Sequence, residues 1–177
     1  MSFSMTLFCL LILSPAVLAE TEFRTAIKRD RHNISMEMGY FEDKDQSLKI
    51  EDIKDQTFKK DGSQTFQRAF SKSAWWGKIK LNNQSDLKDL NVVLDYPMLD
   101  HVDLWTLRKG KGMTHTRTGD IYPFADRPTQ VANFVFPMDM KKGEEVELIF
   151  RFITKGAVNA PIWVFSSKRL MEWEGER

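Results

Sequence analysis

Residues 91–107 read Asn-Val-Val-Leu-Asp-Tyr-Pro-Met-Leu-Asp-His-Val-Asp-Leu-Trp-Thr-Leu, and no other stretch constrains the fold as much. Pro97 cannot donate to a sheet ladder, so it splits the stretch into two extended runs. The first, Val92 to Leu94, is continuously apolar and predicts a strand covered on both faces. The second alternates, with Val102, Leu104 and Thr106 on one side and His101, Asp103 and Trp105 on the other. A period of two sends one set into a core and turns the other toward solvent or a ligand. The spacing therefore predicts that His101 and Asp103 are exposed or semi-exposed, as is Lys78.

The same periodicity recurs along the chain. Ser73 to Leu81 alternates Trp75, Gly77, Ile79 and Leu81 against Trp76, Lys78 and Lys80. Glu145 to Ile153 turns Val146, Leu148, Phe150 and Phe152 inward. Val131 to Pro137 and Ala160 to Phe165 read as further strands, bringing Val135 and Ile162 into the predicted core. Gly110 and Gly112 supply the turn after the central pair. Ser47 to Lys54 reads as one or two helical turns, Phe58 to Ser71 as a connection pinned by Phe66 and Phe70. The stretch from Arg117 through Pro128 reads as irregular. Ser166 is placed to cap a short helix carrying Leu170, Met171 and Trp173. Many short strands with Gly, Pro and Asn turns predict an all-β sandwich or barrel with one or two short helices.

The first 19 residues contain no Lys, Arg, Asp or Glu. Leu7 to Leu13 is apolar, Pro15 breaks it, and Val17-Leu18-Ala19 suits a cleavage site, so residues 1–19 are expected to be a signal peptide. An uncleaved anchor is the alternative, but a span needs about 20 apolar residues. Cleavage leaves 158 of the 177 residues, enough for one domain, without Cys9 and so without a disulfide. Export without disulfides suits a periplasmic domain. The expected organisation is a lead or first edge strand over 20–35, a sandwich over 36–166 and a juxtamembrane-like tail over 167–177. A net charge of +1 offers no argument for a nucleic-acid partner.

Six runs occur in an order that carries a resemblance. They are Gly39-Tyr40-Phe41-Glu42-Asp43, Leu48 to Ile53, Ser73-Ala74-Trp75-Trp76, Leu94 to Leu104, Arg117-Thr118-Gly119-Asp120 and Asn133-Phe134-Val135-Phe136-Pro137. Together they resemble the second type of extracellular domain in bacterial seven-transmembrane receptors with diverse intracellular signalling modules. The resemblance covers roughly residues 36–166. It implies a jelly-roll β-sandwich similar to carbohydrate-binding modules, exported to the periplasm. In the full receptor it implies seven membrane helices and a diguanylate cyclase or histidine kinase output domain. The implied ligand is small, with carbohydrates the expected class. Gly77 departs from the family, standing where a bulky apolar residue is usual, which predicts a local gap or bulge. The chain stops at Arg177, where the membrane region would begin, so it reads as a fragment or a stand-alone version.

The chemistry of single residues points to recognition. His101 and Asp103 point the same way, but a metal site needs three or more converging ligands, so no metal is expected. There is no nucleophile elbow, phosphate loop or cofactor signature, and no catalytic residue is assigned. Two readings compete for Trp76 and Trp105: stacking on the C–H face of a sugar, or covering the edge of a core. Arg127 would either reach a ligand carboxylate or pair with Asp120 and hold its loop. The loops carrying Tyr96 to Asp100 and Asp120 to Arg127 flank the outer face of His101, Asp103 and Trp105. The expected ligand site is therefore Tyr96, Asp100, His101, Asp103, Trp105, Asp120 and Arg127. A protein-interaction module, motivated by the apolar tail, is the alternative function, and a small hydrolase a more distant one.

Overall fold

A computed structural model describes residues 22–176, and the leader expected over 1–19 lies outside them. The described chain forms thirteen strands. They are β1 (Arg24–Ile27), β2 (Arg31–Asn33), β3 (Gly39–Asp43), β4 (Lys59–Lys60), β5 (Phe66–Phe70), β6 (Ala74–Asn83), β7 (Asp89–Leu94), β8 (His101–Arg108), β9 (Gly112–Thr118), β10 (Phe134–Asp139), β11 (Glu145–Ile153), β12 (Ala157–Ala160) and β13 (Ile162–Ser166). A seven-stranded sheet has the order β4-β3-β6-β11-β8-β9, with β1 also on β6. A four-stranded sheet has the order β10-β7-β13-β2, and β12 pairs with β5 as a separate ribbon. The pairings are antiparallel except β1 on β6, where β1 takes Lys80 to Asn83 and β3 takes the earlier Ala74 to Lys78 of the same edge. Within residues 22–35, β1 and β2 add one strand to each sheet.

The two sheets face each other over one core. Ile79, Leu81, Val102, Leu104, Val146, Leu148, Phe150 and Phe152 meet Val92, Leu94, Phe134, Phe136, Ile162 and Val164, all buried. Each such side chain contributes about 1.5–3 kcal/mol on burial. The alternation in β6, β8 and β11 places these residues as their spacing predicts, so an all-β sandwich follows directly from a period of two. Val102 is fully buried and His101 only partly so, which fixes the β8 register.

Each sheet also buries part of its outer face. Val93, Val135 and Phe165 of the smaller sheet lie under helix α1 (Ser167–Gly175), which contributes Leu170 and Trp173. The helix starts where Ser166 Oγ accepts the Arg169 amide at 3.2 Å. The tail's apolar residues are therefore mostly spent on the domain itself, leaving Met171 exposed. On the larger sheet, Phe23, Ile53, Phe58, Trp76, Trp105 and Ile149 form a second apolar cluster. Ile53 comes from a 3₁₀ turn, Ile50–Asp55, which overlaps the segment Ser47 to Lys54 expected to be helical.

Gly77 makes neither a gap nor a bulge, and its ladders with β3 and β11 run in register. A Cβ there would lie 3.0 Å from the Met38 methyl and 3.2 Å from the Tyr40 ring, so these side chains already occupy the space. Tyr40 stacks on Phe66 at 3.9 Å and donates its hydroxyl to the Ser35 carbonyl. Burial pushes that hydroxyl well above its ordinary pKa.

Candidate ligand-binding site

The outer face of β8 is not the open surface its alternation suggests. Trp105 is 8% exposed, with its ring stacked between Trp76 at 5.4 Å and His115 at 4.5 Å. Asp103 is 2% exposed, which corrects the expectation that it faces solvent. Its Oδ1 meets His115 Nε2 at 2.7 Å and accepts Arg117 Nε at 2.8 Å. That bond raises the Arg117 pKa further and holds the guanidinium charged. A buried carboxylate is tolerated where a cation and hydrogen bonds neutralise it. His115 and Arg117 lie on β9, within or beside the region read as irregular. The signal for β9 is faint: Thr114, Thr116 and Thr118 alternate at period two in a strand with no apolar face.

The other expected site residues lie toward one end of the sandwich, where β7 leaves its sheet and β8 enters its own. His101 Nδ1 and the Tyr122 hydroxyl share a hydrogen bond of 2.9 Å. Asp100 Oδ2 accepts the Lys155 amide at 2.7 Å, and the Asp120 amide donates to the Leu99 carbonyl at 2.8 Å. Gly119 has φ +147°, and a Cβ there would collide with the Asp100 carbonyl, so this crossing of the two loops requires glycine. Tyr96 leans on the main core and Asp120 is exposed. Arg127 donates to the carbonyls of Val131 and Ala132 and lies over the Phe134 ring, 4.8 Å from its centre. It holds its own loop through these carbonyls; no ion pair with Asp120 forms.

Beside these loops is a cleft of about 610 Å³. Asp100 and His101 line it together with Gln46, Phe70, Lys72 and Lys155. Its volume falls within the ordinary range for small-molecule sites, about 300–1,000 Å³. Phe70 is 81% exposed, so it does not pin its connection inward as its ring suggested. Gln46 has the left-handed φ of +56°, and its side-chain amide donates to the Lys72 carbonyl. Lys72 and Lys155 are exposed and have no carboxylate partner among the described residues. Chemically, the cleft offers two ammonium groups, an imidazole, a carboxylate and an aromatic face. Phe70, Lys72, Lys155 and Gln46 carry no sequence signal for this cleft, since the end of β5 and three separate loops bring them together.

A second groove, about 380 Å³, lies between the 3₁₀ turn and the outer face of β8, β9 and β11. It is lined by the apolar Ile50, Ile53, Leu107, Met113 and Ile149 together with Glu51, Lys54, Lys78 and Glu147. Among the described residues, no group of three side chains is placed to hold a metal ion, and no helix is long and apolar enough to cross a membrane.

The ordered motifs and the observed sandwich agree with a comparison to protein families. No curated protein matches the chain. The family model described as 7TMR-DISM extracellular 2 matches residues 35–166, which span β3 to β13 and therefore both sheets. The chain belongs to this family, the extracellular sensory domains of seven-transmembrane receptors.

Proposed function

We propose that this domain is the periplasmic input of its receptor and that it senses a small polar ligand, a carbohydrate or a carboxylate, in the cleft lined by Asp100 and His101. The observation that carries this reading is the convergence of Lys72, Lys155, His101 and the exposed Phe70 on one cleft of about 610 Å³. Ammonium groups and an imidazole would bind carboxylate or hydroxyl oxygens, while Phe70 offers a face to sugar C–H groups. Tyr96 and Asp120 sit on the flanking loops. Asp103 and Trp105 are buried and Arg127 is engaged with its own loop, so none of the three is assigned a ligand contact here. In the full receptor the bound state would be relayed to a diguanylate cyclase or histidine kinase output. The jelly-roll likeness to carbohydrate-binding modules that the family resemblance implies would accord with this role. No catalytic step is assigned.

A thermal-shift series with sugars, amino acids and organic acids tests the reading. The expected result is a hit of near-millimolar affinity, about −4 kcal/mol, lost in Phe70→Ala and in Lys72→Ala/Lys155→Ala. A hit that survives all of these substitutions places the site elsewhere. No hit at high ligand concentration favours the interaction-module reading. That alternative has its own observation: Met98, Ile121 and Phe124 are each more than half exposed on the loops around the same end.

A further inference from the structure

The two ends of the sandwich differ sharply in charge. Strand register places the turns 28–30, 84–88, 109–111 and 140–144 together at the end remote from the cleft. Ile27 pairs with Asn83, Asn82 with Glu145, and Arg108 with Val146. Backbone bonds from Gln84 to Ile27, from Asn83 to Glu144 and from Met140 to Lys88 stitch three of these turns to one another. The four turns carry seven Lys and Arg residues, all exposed, against three carboxylates. Two of those carboxylates are already neutralised: Asp86 by Lys142 at 2.9 Å, and Glu144 by Arg108 at 2.6 Å and Lys111 at 3.6 Å. At the cleft end, the segments 44–49, 71–73, 95–100, 119–133 and 154–156 carry five basic and five acidic residues. The whole chain is only +1, so the polarity is one of arrangement.

The basic end also has a shaped recess. A cleft of about 510 Å³ beside the first turn is lined by Lys28, Arg29, Arg31 and His32. The Arg31 guanidinium lies over the Trp163 ring, 4.4 Å from its centre, which holds it in place ahead of any anion. Lys28, Arg29 and Arg31 have no ion-pair partner among the described residues.

We propose that this basic end rests on an anionic phospholipid surface, with lipid phosphates entering the recess at Arg29 and Arg31. Membership of a transmembrane receptor family places a membrane beside the domain, which is why lipid is the partner of choice among polyanions. Basic clusters at such a surface each add an increment of electrostatic attraction that decays within a Debye length of about 8 Å. The arrangement orients the molecule, since a domain seated on its basic end presents the opposite cleft away from the bilayer. The proposal is independent of which ligand the cleft takes.

Flotation of the full chain with lipid vesicles tests it. Vesicles about one-third phosphatidylglycerol are expected to retain the protein at low salt, while pure phosphatidylcholine vesicles do not, and added salt should release it. Reversal of four charges at the basic end, Lys28→Glu, Arg29→Glu, Lys141→Glu and Lys142→Glu, is expected to weaken retention at least about tenfold. The matched reversal at the cleft end, Lys44→Glu, Lys49→Glu, Lys72→Glu and Lys155→Glu, is expected to leave it within about twofold. Circular dichroism melts of both variants establish that each is folded. Equal loss from the two reversals would overturn the proposal, as would equal binding to both vesicle types. Retention on heparin without retention on anionic vesicles would overturn it too, and would point to a soluble polyanion.

Discussion

The two ends of the sandwich are closed by different means. At the basic end a single fully buried side chain, Asn83, joins the sheets: its amide donates to the carbonyls of Leu87 at 2.7 Å and Met140 at 2.9 Å. Its Oδ1 accepts from the amide and hydroxyl of Ser85. Every polar atom of that side chain is thus paired within the protein, and the turns around it are short. The cleft end is built from a long loop over 119–133 and from polar groups at its surface. Thr118 Oγ1, Arg127 Nε and Asn133 Oδ1 are buried there without a hydrogen-bond partner, whereas at the basic end only Asn82 Oδ1, among the described residues, is left so. Paired buried groups stabilise a fold, whereas unpaired ones cost free energy and tend to mark places kept for another purpose. One end serves as the clasp of the fold; the other holds the candidate site at some cost to stability.

The largest effect expected to probe this contrast is at the clasp. Asn83→Ala leaves two carbonyls and the Ser85 groups unpaired, and should lower unfolding free energy by about 3 kcal/mol in denaturant titration. A loss under about 1 kcal/mol would break the contrast. Glu144→Gln should cost less, about 1 kcal/mol at neutral pH. The Lys141 amide, then Arg108, holds the Glu144 carboxylate below its ordinary value of 4.5. Because the folded pKa is depressed, this stabilisation is fully present above the ordinary value and fades as pH falls through the folded one. The difference between wild type and variant in pH-dependent melts should therefore shrink in acid; a constant difference would assign the loss to packing. The smallest effect is expected at the cleft. Tyr122→Phe removes the His101 hydrogen bond at the half-open end and should change stability by only about 0.5 kcal/mol. Two-dimensional NMR should nonetheless show the His101 ring resonances shifting, and an unchanged ring would mean that the bond does not position the imidazole.

Part of this architecture is legible in the order of residues. The inward sets of β6, β8 and β11 follow from alternation, because pleating is local and needs only the residue and its neighbours. The three buried residues Val92, Val93 and Leu94 likewise announce a strand covered on both sides, here by the opposite sheet and by α1. Ser166 as a helix cap is equally local. The fate of the outer faces is not. Trp105 and Asp103 alternate as solvent-facing residues would, yet Trp76, Ile149, His115 and Arg117 from three other strands close over them.

Residue pattern alone marks β6, β8 and β11 as strands and shows which side of each is apolar, and the ordered motifs point to the family. Pattern leaves β9 unmarked, because a strand of Thr, His and Arg at a sheet edge buries too little to leave an apolar signature. It takes the pairing of distant strands to bring Phe70 and Lys72 to His101 across a cleft, and to pool the lysines of four separate turns at one end. The physical reason is range. A strand's pattern is set by the pleat within a few residues, whereas a site or a charged end is a meeting of segments whose distance in space the pairing of strands alone defines.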